Sequence, residues 1–433
     1  METEMTANQE VVYNKTVLDN GLRIVTEKIP AARSIAIGVW IDVGSRDEKA
    51  DEKGMSHFIE HMLFKGTKTR SALKIAASLE SLGGALNAFT SREQTCYHAL
   101  VLDEHLEESV DILADILMNS TMTSANIERE KLVVIEEIRE INETPSDYIH
   151  ELFSNDFWRN QPIGWPIMGT EETVQSYDRV RLKAYMKRNY RTGHTVVAAA
   201  GNISHRKLVG LIRDKLDFPA GKNGDRKPTI KSTGTSMKFF PNNSNQIHVC
   251  LGFPGISYNH PDRIKLLVLN TYLGGGMSSV LFQKIREERG LAYTVFTFPD
   301  FYRDGGVFGA YLATDRKHFQ SAVEIILNEF KKIKKKKLSG SKLDKIKDQF
   351  KGNMLLGMES TTGRLNRLGR QELLLGKYTT SKETLKKLMN ITPADIQDVA
   401  QQVLNFDDLT ITALGSVGRK DLKNSGWVIG LSR

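Results

Sequence analysis

Apolar and polar positions along this chain fall into a small number of repeating patterns. Residues 34–45 (SIAIGVWIDVGS) are mostly apolar and close on glycine, as a buried strand does. Residues 246–255 (QIHVCLGFPG) have the same character. Near the end of each half comes a second apolar strand closed by glycine, 194–202 (HTVVAAAGN) and 409–417 (LTITALGSV). Ile35 aligns with Ile247 at an offset of 212, and Gly201 with Gly415 at an offset of 214. Two independent pairs with nearly equal spacing predict a tandem duplication, and the period is too long for a solenoid, so each copy is a domain. Residues 217–236 (DFPAGKNGDRKPTIKSTGTS) are rich in Gly, Pro, Lys and Ser and read as a linker. The expected organisation is a first domain over 1–221, a linker over 222–235 and a second domain over 236–433.

Helical spacing of apolar residues recurs at 71–82, 104–118, 124–142, 171–187, 316–336 and 340–356. Gly83 and Gly84 break the pattern before 85–97, which alternates like strand. Strands and helices mixed without regular βαβ alternation predict an α+β fold, each half a sheet with helices on one face. In 54–65, Phe58, Ile59, Met62 and Leu63 share one face of a helix, while His57, Glu60, His61 and Phe64 share another. Such a helix makes a poor surface helix. It predicts a buried element whose histidine face meets a cavity, stopped by Gly66.

That helix carries the candidate chemistry. His57 and His61 lie four residues apart, one turn along the same face, with Glu60 between them. Two imidazoles so placed can hold a zinc ion, and an adjacent carboxylate can take a proton from an attacking water. The order reverses the commoner His-Glu-x-x-His helix. With 10 histidines and 52 acidic residues among 433, chance produces the pattern in roughly 3% of such chains. Catalytic zinc needs a third protein ligand. Residues 126–142 (NIEREKLVVIEEIREIN) place Ile127, Val134, Ile138 and Ile141 in one apolar stripe, with Glu130 and Glu137 two turns apart. Glu137 falls at the edge of that stripe, where a carboxylate needs a partner such as a cation. Periodicity alone equally allows both glutamates to face solvent.

Composition narrows the class. The chain is 40% hydrophobic and 26% charged, as soluble globular proteins are, and its length suits two to four domains. No stretch approaches 18 consecutive apolar residues, so no membrane span is expected. Met1 to Glu10 is polar and acidic, without a secretory or import pattern, so the expected location is cytoplasmic. Cys96 and Cys250 are too few for a disulfide framework and read as buried, reduced thiols. The net charge of +8 owes much to a lysine run at 331–337. Without interleaved aromatics that run reads as a solvated helix end, and nucleic acid is not an expected partner.

HFIEHMLFKGT at 57–67, followed by EREKLVVIEEI at 128–138, resembles the zinc site of the pitrilysin/insulinase family of metallopeptidases, most closely its processing-peptidase-like bacterial members. The resemblance implies one zinc ion per chain held by His57, His61 and Glu137, Glu60 as general base and Glu130 as a supporting acid. NAFTSREQTCY at 87–97 resembles the family's substrate-side edge strand. It implies that Asn87, Ala88 and Phe89 offer backbone groups to an extended peptide. LGGGMSSVLFQKIREERGLAYTV at 273–295 resembles the substrate-holding segment, with Arg286 and Tyr293 binding substrate carbonyls. Unaided, Gly274 to Gly276 read as a turn and Tyr293 as a core aromatic, and no Gly-Lys-Ser/Thr follows to make a phosphate loop. Val280 departs from the arginine that relatives often carry there. The resemblance further implies two homologous halves closing like a clamshell on short or unfolded peptides, in a homodimer. An offset of 212 maps His57, Glu60 and His61 onto Leu269, Tyr272 and Leu273, so the second half holds no metal. Two other readings stand beside the endopeptidase. One is a non-catalytic partner or respiratory-complex core subunit. The other is a zinc-stabilised binding module, which would usually close its site with a fourth protein ligand.

Overall fold

The computed structural model describes residues 11–221, 230, 234–418 and 421. Eleven strands form two sheets among these residues: β1 (Val12–Val17), β2 (Arg23–Lys28), β3 (Ser34–Ile41), β4 (Ala85–Thr90), β5 (Thr95–Leu102), β6 (Thr195–Gly201), β7 (Ser236–Phe240), β8 (Ile247–Gly255), β9 (Ala292–Phe301), β10 (Gly306–Thr314) and β11 (Thr410–Leu414). The first sheet runs β1-β2-β6-β3-β5-β4 and the second β7-β11-β8-β10-β9. Without β1, the two orders are the same. The pairings match as well: β2 is parallel to β6 as β7 is to β11, and the other pairs are antiparallel.

The duplication holds at the level of single residues. Gly201 ends β6 opposite Ile35 with φ +136°, and a Cβ there would lie 2.1 Å from the Ser34 carbonyl. Gly415 follows β11 with φ +141°, and its Cβ would meet Gln246 O and Ile247 Cα, each at 3.2 Å. Both copies need a residue without a side chain where this strand leaves the sheet.

Helices cover both faces of each sheet, not one. In the first, Ile37, Val39, Val197 and Ala199 face a core that includes Phe58, Ile59 and Val134. Ala36, Trp40, Val196, Ala198 and Ala200 face a second layer with Leu365, Leu368 and Leu373. Those three leucines belong to the helix Thr361–Leu375, which comes from the second half of the chain. The second sheet is treated alike. Ile149, Phe153 and Phe157 of the helix Pro145–Phe157 cover Cys250, Tyr311 and Leu414. The physical reason was present in the strands: β3 and β6 are apolar at consecutive positions, which suits burial on both faces.

The expected continuous domains therefore need amending. One compact unit comprises Met1–Ile138, Pro166–Arg226 and Leu355–Tyr378; the other comprises Arg139–Trp165, Lys227–Met354 and Thr379–Arg433. Most of the expected linker at 222–235, and Met1 to Glu10, lie outside the described residues. The single helix expected over 171–187 is two, Glu171–Gln175 and Arg179–Asn189, because the Asp178 carboxylate accepts from the Arg181 N–H and starts the second. The lysine run closes the helix Phe319–Lys335, anchored by buried Ile333 and by Lys334 Nζ donating to Leu404 O at 2.6 Å. Cys96 and Cys250 are free and buried. No described helix is long and apolar enough to cross a membrane.

Candidate metal centre

The site is built in the first unit from two helices and the edge strand β4. The helix Met55–Leu63 turns Phe58, Ile59, Met62 and Leu63 into the core and leaves Glu60 and His61 toward a pocket of about 280 Å³, with His57 buried beside them. Glu60, His61, Phe64, Lys65, Leu86, Asn87 and Ala88 line that pocket. Gly54, the residue before the helix, has φ +89°, and a Cβ on it would fall 2.2 Å from the Met168 carbonyl. Gly54→Ala is therefore expected to cost about 2–4 kcal/mol of stability in urea unfolding.

The second helix, Ser124–Glu143, supplies the carboxylates. Glu130 is only 2% exposed, inside the apolar stripe with Ile127 and Val134. Its Oε1 accepts from His61 Nδ1 at 2.8 Å and its Oε2 pairs with Lys65 Nζ at 2.9 Å. That bond fixes the His61 tautomer and leaves Nε2 free. Glu137 Oε2 lies 3.5 Å from His61 Nε2 and 3.9 Å from His57 Nε2. His57, His61 and Glu137 each offer an atom within 4.8 Å of the others, the one such cluster among the described residues. Glu137 Oε2 and His57 Nδ1 are buried without a hydrogen-bond partner among the described residues. Two neutral-capable imidazoles and a carboxylate oxygen lacking a donor are a set that a divalent cation would satisfy. Glu60 stands beside the cluster, its Oε2 accepting from the Thr90 hydroxyl at 2.5 Å.

The protonation pattern fits this arrangement. Burial, reinforced by neighbouring His61, pushes His57 down to about 3, so its imidazole is neutral. Burial opposes protonation of His61 too, but the bond to Glu130 and the charges of Glu137, Glu130 and Glu60 raise it overall. His57 would thus offer a neutral nitrogen to a cation, and His61 would have to release any proton on Nε2 before holding one. Burial, aided by Glu137, holds Glu60 above the usual carboxylate range against the pull of Thr90 and His61. A carboxylate shifted that way is better matched to accepting a proton near neutral pH.

β4 is an edge strand of the first sheet, pairing among the described residues only with β5. Asn87 is exposed, and its Oδ1 accepts from the Ala88 N–H at 2.8 Å. Phe89 sits edge-on to Trp40 at 5.5 Å. Arg286 and Tyr293 are brought together in the second unit. The guanidinium lies 4.3 Å from the Tyr293 ring centroid, and Arg286 Nη1 donates to Tyr293 O at 3.1 Å. Tyr293 is 72% exposed, not a core aromatic. Sequence reasoning missed Thr90 and Lys65, although each lies within a motif it had singled out.

A family profile described as insulinase (peptidase family M16) matches residues 23–171, and one described as the peptidase M16 inactive domain matches 176–350. A Bacillus subtilis protein named as the uncharacterized zinc protease YmxG is 40% identical over 390 residues, covering 90% of this chain and 95% of the relative. The chain belongs to peptidase family M16. A Streptomyces coelicolor relative, also named as an uncharacterized zinc protease, is 36% identical over 90% of this chain and 87% of its own. Among solved structures, a protease from Helicobacter pylori superposes with a TM-score of 0.86 at 22% identity, covering 94% of this chain and 99% of its own. A chain of complex III2 from Candida albicans superposes at 0.81 and 19% identity, covering 93% of this chain and 95% of its own. At those identities the superpositions show the M16 fold alone; function has to be argued from the site.

Proposed function

We propose that this M16 protein is a zinc endopeptidase that hydrolyses short or unfolded peptides, with zinc held by His57, His61 and Glu137. The observation that carries this is the convergence of two histidine Nε2 atoms on a carboxylate oxygen that lacks a hydrogen-bond donor, beside a separate carboxylate held ready by a hydroxyl. When bound, zinc supplies a Lewis acid that polarises the scissile carbonyl and lowers the pKa of water in its open position to about 7. Glu60 takes a proton from the attacking water as the water oxygen bonds to the carbonyl carbon, then gives it to the nitrogen as the C–N bond breaks. Thr90 keeps the Glu60 carboxylate aimed, and Glu130 keeps His61 in the tautomer that presents Nε2.

The substrate in this reading lies extended along β4, taking backbone hydrogen bonds near Asn87, Ala88 and Phe89. For Ala88 to pair, the Asn87 side chain gives up its bond to the Ala88 N–H. The second unit supplies Arg286 and Tyr293 to substrate carbonyls, which gives the exposed pair a use. The reading has the chain working as a cytoplasmic homodimer, a pairing that sedimentation equilibrium tests. Purified protein is expected to carry one zinc per chain and to cleave an internally quenched unstructured peptide. Stripping with a chelator should abolish cleavage, and stoichiometric zinc should restore it. Cleavage that persists without zinc would overturn the proposal.

A further inference from the structure

His61 and His57 are held in different ways. His61 has Glu130 on its second ring nitrogen, whereas His57 Nδ1 is buried with no hydrogen-bond partner among the described residues. The direction of the His57 ring therefore depends on the backbone beneath it and on packing. That backbone is the first turn of the helix Met55–Leu63, and the residue before it, Gly54, has no side chain to cap it.

A carboxylate from upstream takes the capping role. Glu48 is 4% exposed. Its Oε2 accepts from the Gly54 N–H at 2.7 Å and its Oε1 from the Ser56 N–H at 2.8 Å, so one side chain grips the turn at two points. Ser56 immediately precedes His57. Its hydroxyl is held in turn by the Tyr185 hydroxyl at 2.7 Å. An anion at a helix N-terminus is favoured both by the free N–H groups and by the helix dipole. Burial pushes the Glu48 carboxyl up to about 8, against those same N–H bonds. The two N–H bonds offset part of the cost of burying the carboxyl group and tie the Gly54 and Ser56 backbone to one side chain.

We infer that Glu48 is a positioning residue for the metal centre, doing for His57 through the backbone what Glu130 does for His61 through its ring. The inference rests on the proposed ligation of zinc by His57, His61 and Glu137. Glu48 touches neither metal nor substrate, so its removal should act on zinc affinity and on kcat more than on KM.

Glu48→Gln is the test. The amide has one acceptor for two N–H donors and turns an NH₂ group toward the other. With full-length protein, zinc affinity measured by competition with a chelating dye should weaken about 10- to 100-fold, as for other residues that orient ligands. The zinc-induced rise in melting temperature should shrink accordingly. A merely structural role would lower melting with and without zinc alike and leave zinc affinity within about twofold of wild type; that result overturns the inference. Should Glu48→Gln fail to fold, Glu48→Asp decides, since it keeps the carboxyl group and both of its oxygens on a shorter stem. It should bind zinc about three- to tenfold more weakly, and unchanged binding sinks the idea. Wild-type protein that binds no zinc overturns the peptidase reading itself, so the two failures are told apart by the control.

Discussion

Glu60→Gln is expected to keep its zinc and lose peptide hydrolysis, with kcat falling by about a thousandfold or more. The substitution is nearly isosteric. Its amide oxygen can still accept from the Thr90 hydroxyl, so the side chain stays in place. Glu60 is not among the three groups that converge at the metal cluster, so zinc content should not change. What the amide cannot do is accept a proton from water and hand it to a leaving amine. The loss should therefore fall on kcat, with KM for an extended peptide within a fewfold of wild type. Zinc analysis and steady-state kinetics on one preparation check both halves. A variant that still turns over at more than about a tenth of the wild-type rate would remove Glu60 from the mechanism.

Glu137→Ala should remove both metal and activity while sparing the fold. Glu137 lies well inside the helix Ser124–Glu143. Alanine is the best helix former, and the side chain is partly exposed, so no cavity opens in the core. Of the three converging groups only the carboxylate goes, leaving two imidazoles to hold a divalent ion. Two ligands make a weak site, and zinc should be lost on dialysis against a mild chelator that wild type withstands. Circular dichroism should be unchanged. The Ala variant differs from Glu60→Gln in a readout independent of catalysis, because one is metal-free and inactive and the other metal-loaded and inactive. Retained stoichiometric zinc in Glu137→Ala would mean that the third ligand lies elsewhere.

Much of the site was legible because it depends on spacing along single helices. His57 and His61 are one turn apart, so any helix through them brings the rings together, and their centroids are 4.6 Å apart. The division of labour between Glu130 and Glu137 was not legible from periodicity. Both follow the same helical phase, and only packing sends Glu130 to His61 Nδ1 and Glu137 toward the Nε2 atoms. The family resemblance assigned the roles that the spacing left open. Glu48 escaped notice for a different reason. A capping carboxylate normally sits at the helix start, and this one reaches back across a turn that includes the short segment Ala50–Glu52.

The fold shows the same boundary between local and non-local information. Apolar strands closing on Gly201 and Gly415 announced the duplication, and the register bears it out. That Pro145–Phe157 and Thr361–Leu375 each pack in the unit built mainly from the other half of the chain could not be read off. An amphipathic helix shows that it has a face to bury, not which sheet will bury it. Consecutive apolar residues in β3 and β6 were the available clue that both faces would be covered.

Crystals of zinc-loaded protein, measured on either side of the zinc absorption edge, give the most direct test. An anomalous peak is expected about 2.0–2.2 Å from His57 Nε2, His61 Nε2 and a Glu137 carboxylate oxygen, with one further position open to solvent. No peak at that point, or a peak with Glu137 turned away from it, would contradict the assignment of this chain as a zinc peptidase built on those three side chains.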